Sequence, residues 1–219
     1  GAADGTGTSA RFAAPRDLAI DKAGNVYVSD TGNLLIRRID PSGTVVTLAG
    51  AVGQSGTADG MGEAARFRGP DAIAVDEGGT VYVVDSVVSV GISFDDTAVT
   101  SIRRIGVDGV VTTVGQPGGY GVISGIALDT GGSLLACLNG HTLARVASDG
   151  STSTVAGSGP DLGVRLGPLP GQMQGIGRIA ISGDGKTVIA VATPGTTGRA
   201  IAGIGERRSR GLLRVRLAN

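Results

Sequence analysis

The stretch ARFAAPRDLAIDKAGNVYVSD at residues 10–30 is written again, nearly letter for letter, as ARFRGPDAIAVDEGGTVYVVD at 65–85. Self-similarity at a fixed period constrains a fold more tightly than composition does, because each copy is one supersecondary unit that needs its neighbours to bury its faces. The two copies keep step: Phe12 falls with Phe67, Pro15 with Pro70, Asp21 with Asp76 and Asp30 with Asp85. IRRI at 36–39 returns as IRRI at 102–105 at a longer offset, so copy two carries an insertion between Asp85 and Ile102. A fainter third copy, YGVISGIALDTGGSLLACLNGHTLARVASDGSTSTVAG, covers 120–157. Tyr120 stands before Ile126 as Phe12 stands before Leu18, and LARV at 143–146 fills the IRRI slot. The fourth copy is IAISGDGKTVIAVA at 179–192, followed by LLRV at 212–215.

Each copy reads as four short strands. In copy one LAI is followed by the turn DKAGN, then VYVSD, the turn TGN, IRRI, the turn DPSG and VVTLAG. Alternation and β-branched residues make strands, and Asp-x-x-Gly turns close on side-chain hydrogen bonds and a left-handed glycine. With 41% hydrophobic residues but only three Phe, three Tyr and no Trp, the core is aliphatic, and 40 glycines supply turns. A lone four-stranded sheet leaves both faces wet; repeated, each sheet covers the next, which at this period is a β-propeller with one copy per blade. The expectation is an all-β chain of four-stranded antiparallel blades at about 4–50, 59–115, 120–157 and 164–219, the last lacking its outer strand. LAI, IAV, IAL and IAI are the expected innermost strands, and Phe12, Phe67 and Tyr120 the expected wedges between adjacent blades.

The pattern DGxGxxARFxxPxxIAVDxxGxVYVxDxxxxxIRRIxxxGxVTTLAG resembles the NHL repeat, over nearly its full length in copies one and two, in part in copy three and by spacing in copy four. The resemblance implies a ring of about six blades. The chain opens on a linker and closes at RLAN, in phase with the repeat, so it is expected to be a segment of such a larger ring. The resemblance also implies an extracellular or cell-surface location.

Strand direction alternates within a blade, so the second-to-third-strand loops and the blade-to-blade linkers emerge together. Three irregular features fall there: the linker 51–64 with its counterpart 1–9; the insertion 86–100 with Phe94, Asp95 and Asp96; and the segment 193–211 with Arg199, Arg207, Arg208 and Arg210. Rigid scaffolds carry function on such loops, and the opposite charges of the two long segments predict a polar, salt-sensitive contact with another chain. Asp21, Asp76 and Asp129 recur once per copy, as do Arg37 with Arg103 and Arg38 with Arg104, and read as blade construction. The arginines are expected to alternate between blade faces and to cap turn carboxylates.

Little else carries chemistry. AISGDGKT at 180–187 satisfies a relaxed phosphate-loop pattern, yet such a loop must run from a strand into a helix, and here the repeat predicts a hairpin. His141 is the single histidine, which excludes clustered imidazole ligands and leaves nothing to orient a triad. DGTG and DGMG lack the spaced carboxylates of a calcium loop. The single Cys137, in SLLACLNG, excludes an internal disulfide and reads as a buried, inert thiol. No cofactor and no metal are expected. A formal net charge of zero demands no nucleic-acid surface; an RNA-binding reading rests on Arg207, Arg208 and Arg210 alone, without stacking aromatics. No apolar run approaches the ~20 residues of a membrane span. The expected function is a non-catalytic interaction or structural module, meeting another protein or a glycan, or joining a larger complex, through loops on one face. The alternative is a propeller lyase or hydrolase whose site residues lie in blades outside this sequence.

Overall fold

In the computed structural model, which describes residues 1–86, 100–114, 122–140, 142–156, 173–182, 187–194 and 211–216, every copy of the repeat is an antiparallel sheet. Copy one comprises β1 (Gly5–Thr6), β2 (Asp17–Ile20), β3 (Val26–Asp30), β4 (Leu35–Ile39) and β5 (Thr44–Ala49), in the spatial order β1-β5-β4-β3-β2. Copy two repeats that order with β6 (Gly60–Met61), β7 (Pro70–Val75), β8 (Val81–Asp85), β9 (Ser101–Ile105) and β10 (Val110–Thr113). Copy three is a meander of β11 (Ile123–Leu128), β12 (Leu134–Leu138), β13 (Thr142–Val146) and β14 (Thr152–Ala156). Copy four has three strands, β15 (Met173–Ile181), β16 (Thr187–Pro194) and β17 (Gly211–Arg216). LAI, IAV, IAL and IAI lie on β2, β7, β11 and β15, each at an edge of its sheet. The chain divides into two units, Gly1–Gly121 with Ser148–Ser151, and Val122–Ala147 with Thr152–Asn219. Copies one and two fall in the first and copies three and four in the second, apart from residues 120–121 and 148–151 of copy three.

The recurring aspartates close the first hairpin of each blade. Asp21 accepts the Asn25 N–H at 2.8 Å, Asp76 that of Thr80 at 2.8 Å and Asp129 that of Ser133 at 2.8 Å. In copy four Ser182 does the same work, its Oγ accepting the Thr187 N–H at 3.0 Å. The side chain thus stands in for a backbone acceptor and bends the chain locally.

The linkers at 1–9 and 51–64, expected as irregular features, contain short regular elements. Residues 5–6 and 60–61 are β1 and β6, a fifth strand on the outer edge of each of the first two sheets, pairing Gly5 with Val45 and Gly60 with Val111. Each is followed by a 3-10 turn, at Gly7–Ser9 and Gly62–Ala64. The reason is that an uncovered edge strand leaves a row of backbone donors and acceptors open, and the linker satisfies some of them. Asp4 and Asp59 extend this cover by accepting the N–H groups of Thr47 and Thr113, each at 3.0 Å.

Within the first unit the blades meet face to face. Tyr27, Ile36 and Ala49 of copy one share a core with Phe67, Ile73, Val81, Val83, Ile105 and Val111 of copy two. Polar groups set the register of this stack. Ser29 Oγ donates to the Asp71 carbonyl at 2.6 Å, Thr31 Oγ1 donates to the Pro70 carbonyl, and the Ile73 N–H donates to Asp17 Oδ2 at 3.1 Å. Phe67 is fully buried between the two blades, as its spacing predicts. Phe12, in the same position of copy one, is only half-buried. Tyr120 lies outside the described residues.

In the second unit Gly125 sits where two inner strands touch. A Cβ placed there would lie 2.9 Å from the Gly177 carbonyl oxygen and 3.0 Å from the Ile179 nitrogen. Gly125→Ala should therefore lower stability by about 1–3 kcal/mol, as overpacking against backbone does. Chemical denaturation of the variant checks this; an unchanged midpoint would show that the strands can part freely.

Candidate functional site

Strand parity brings the start of β2, the start of β7 and the β3–β4 and β8–β9 connections to one end of the first unit. Two buried aspartates anchor that end, one closing β3 and one closing β8. Asp85 Oδ1 accepts the N–H groups of Arg68 and Gly69, both at 2.8 Å, and its Oδ2 lies 3.4 Å from Arg103 Nη1. Arg103 also reaches Asp59 at 2.7 Å and the carbonyls of Arg66 and Ala58 at 2.8 and 2.9 Å, with its guanidinium 5.2 Å above the Phe67 ring. Copy one repeats the motif. Arg37 joins Asp30 at 3.0 Å, Asp4 at 2.6 Å and the carbonyls of Arg11 and Ala3, 5.0 Å above Phe12. Each arginine thus pins the linker, the inner-strand lead-in and the second strand together from inside the blade.

The charges of these pins follow from their surroundings. Burial pushes the Asp85 carboxyl up, and the Gly69 and Arg68 N–H groups with Arg103 only partly oppose it. For Asp59 burial acts in the same direction but is outweighed by the Thr113 N–H and hydroxyl and by Arg103, which hold it below the ordinary carboxylate range. Asp4 balances likewise between burial, Thr47 and Arg37.

This refines the expectation for the repeated arginines. They do alternate: Arg37 and Arg103 are buried, Arg38 and Arg104 exposed. The buried pair grips strand-end and linker aspartates rather than the hairpin-turn aspartates. Turn capping occurs in copy three, where Arg145, at the register position of Arg38, lies 3.3 Å from Asp129. Nothing in the spacing of IRRI alone distinguished its two arginines; the recurrence of Asp4 with Asp59 and of Asp30 with Asp85 was the available signal.

The insertion in copy two leaves from this braced end. The Ser86 N–H donates to the Gly69 carbonyl at 3.2 Å, Ser101 Oγ donates to the Asp85 carbonyl at 3.5 Å, and Thr100 is buried. In copy one the same connection is a 3-10 turn, Thr31–Asn33, held by the Gly32 N–H on the Ala13 carbonyl at 2.9 Å. The 195–210 segment is the same connection in copy four, between β16 and β17. Around the first unit's end stand exposed Arg11, Arg16 and Arg68 and the half-buried Asp17 and Asp71, which sequence reasoning passed over. Phe94, Asp95, Asp96, Arg199, Arg207, Arg208 and Arg210 lie outside the described residues, as does His141.

The phosphate-loop pattern falls on the β15–β16 hairpin, with the Ser182 N–H on the Thr187 carbonyl at 2.8 Å, so it is followed by a strand where a phosphate loop needs a helix. Among the described residues no group of three or more His, Cys, Asp or Glu is arranged to hold a metal. Cys137 is buried on β12 at the register position of Ser29, and burial pushes its thiol up, away from reactivity.

Comparison with known proteins agrees with this architecture. The NHL repeat model matches residues 12–39. Protein SUPPRESSOR OF QUENCHING 1, chloroplastic, of Arabidopsis thaliana is 33% identical over 84 residues, which are 38% of this chain and 8% of that protein. A solved structure described as a putative gluconolactonase superposes with a TM-score of 0.54 at 15% identity, covering 81% of this chain and 57% of its own. Virginiamycin B lyase from Staphylococcus aureus gives 0.52 at 13%, covering 92% and 55%. The chain thus spans a little over half the length of these two structures. Residues 12–39 are an NHL repeat, and the chain that carries them folds as antiparallel β-propeller blades of three to five strands.

Proposed function

We propose that this chain is a non-catalytic propeller scaffold that binds a protein partner through the end from which the 86–100 insertion emerges. The observation that carries the reading is the way that insertion is mounted. A short turn in copy one is replaced in copy two by a long segment, and the replacement springs from a strand end clamped by Arg68, Gly69 and Arg103 on Asp85. Rigid mounting of an inserted segment is how scaffolds present contact surfaces, and an insertion this long between two strands of a blade is uncommon unless it has such a role. The buried carboxylates of this end are engaged by backbone N–H groups and arginine, which suits bracing better than proton transfer.

Deleting 87–98 tests the reading. The variant should keep the parent's unfolding midpoint to within a few degrees and lose its partner. A photo-crosslinking residue at Phe94 in the intact chain should capture that partner, and one at Val107, an exposed turn residue, should not. Equal capture at both positions, or retained assembly after the deletion, would return the insertion to an idle excursion. Turnover of a lactone or another small substrate by the intact chain would favour the enzyme reading instead.

A further inference from the structure

The β12–β13 connection holds a reactive pair. Of Asn25, Asn33, Asn139 and Asn219, Asn139 alone is followed by glycine. A backbone nitrogen can attack the side-chain amide carbon of the asparagine before it. A Cβ on the attacking residue obstructs that approach, and glycine has none.

The structure places the pair where the attack is open. Asn139 is exposed in a turn with φ 52°, and Gly140 follows at φ 71°. The Gly140 N–H hydrogen-bonds the Cys137 sulfur, a weak acceptor that holds it loosely. Asn139 Oδ1 accepts the Val122 N–H at 3.1 Å, which draws electron density from the amide carbon to be attacked. Two other asparagines are held and obstructed. Asn25 Nδ2 donates to Asp21 Oδ2 at 2.8 Å, and Val26 follows it. Asn33 is buried, its Nδ2 donates to Asp30 Oδ2 at 2.6 Å, and Leu34 follows it.

We propose that Asn139–Gly140 is a site of spontaneous deamidation, with water as co-reactant, whose isoaspartate product unclasps the lead-in of β11. The Gly140 nitrogen bonds to the Asn139 side-chain carbon and gives up its proton. The bond from that carbon to Nδ2 breaks, ammonia leaves, and a succinimide ring closes. Water opens the ring at either carbonyl, giving aspartate or isoaspartate, in which the main chain runs through the former side-chain carbon.

The two products act differently on the fold. The Asn139 N–H donates to the Val122 carbonyl at 2.8 Å while its Oδ1 accepts the Val122 N–H, so one residue clasps the lead-in twice. Aspartate tolerates the left-handed φ as asparagine does and keeps an acceptor oxygen, so the clasp survives it. Isoaspartate adds a methylene to the main chain inside the turn and relocates the carboxylate, so donor and acceptor no longer meet Val122 together. This inference is independent of the partner read for the 86–100 insertion.

The test is incubation of the folded chain in neutral and in mildly alkaline buffer made with heavy-oxygen water. Ion exchange separates the product, because each event adds a negative charge to a chain of formal net charge zero. Peptide mass mapping locates the oxygen label, and enzymatic methylation of isoaspartate counts that isomer. The label should accumulate at Asn139 and not at Asn25 or Asn33, faster in the alkaline buffer because the attacking nitrogen must lose its proton. Asn139→Gln, whose extra methylene moves the amide carbon away, should slow the reaction about tenfold, one decade per ~1.4 kcal/mol of barrier. A folded chain that keeps its Asn139 amide while the urea-unfolded chain loses it would overturn the site. Hydrogen exchange of the Val122 N–H should quicken in the isoaspartate fraction and stay near the parent's rate in Asn139→Asp. Equal exchange in the parent and the isoaspartate fraction would overturn the unclasping.

Discussion

Asp85→Leu should lower the unfolding free energy by about 3–5 kcal/mol, the loss typical of breaking a buried ion pair from one side. The substitution leaves the Arg68 and Gly69 N–H groups without their acceptor and the Arg103 guanidinium with only the partly exposed Asp59 opposite it. Arg103→Ala should cost a similar amount, because it strands Asp85. Copy three shows the alternative: at the register positions of Asp30 and Arg37 it carries Leu138 and Ala144, both buried. Copy four carries Ala192 and Leu213 there. The double variant Asp85→Leu with Arg103→Ala should therefore lose less than the sum of its parts. It should still fall short of the parent by about 1–3 kcal/mol for each N–H left unmet. A double-mutant cycle by chemical denaturation reads the coupling, and strict additivity would show that the pin is not a unit.

Acid dependence gives this prediction a sign. Asp59, held low, adds stability that is present above its ordinary value of 3.8 and lost as pH falls through its folded value. Asp85, pushed up by burial, acts the other way: its share is present at low pH and lost as pH rises through its folded value. Asn at position 85 imitates the protonated acid and keeps an acceptor for the two N–H groups. Asp85→Asn should thus cost less than Asp85→Leu, and its deficit against the parent should shrink as pH rises toward neutrality. Unfolding titrations at two pH values decide it; a deficit that grows with pH would overturn the assignment.

Phe67→Ala should also cost about 3–5 kcal/mol, the range for a buried aromatic whose cavity cannot close. The ring is buried between copies one and two and forms the floor under Arg103, so truncation opens the core and removes a cation–π contact of about 0.5–2 kcal/mol. Phe12→Ala removes the same chemistry from a half-buried site and should cost clearly less. The comparison isolates the contribution of the neighbouring blade, since the two phenylalanines hold the same place in their repeats. Equal losses would mean that the ring is supported by its own blade alone.

Much of the architecture could be read before any coordinates. The hairpin turns on Asp21, Asp76 and Asp129 and the strands of each blade follow from turn chemistry and alternation, which are local, and the matching of the copies marked Phe67 as a core residue. The candidate contact residues Phe94, Asp95, Asp96 and Arg199 to Arg210 could be named from loop length but not placed, since neither recurrence nor alternation acts on an insertion. The extra edge strands at Gly5–Thr6 and Gly60–Met61 were not legible either, because their pairing partners lie far along the chain and Gly-rich linkers look like loops. Arg37 and Arg38 are neighbours of the same type, yet one is buried and the other exposed. Leu18 and Ile73 hold the same place in the repeat, yet one is in solvent and the other in a core. The sequence by itself determined the repeating blade, since local turns and alternation suffice for it. Only the tertiary structure decided which arginine is buried and which apolar face is covered, because burial depends on the neighbour stacked against a strand and not on the strand's own pattern.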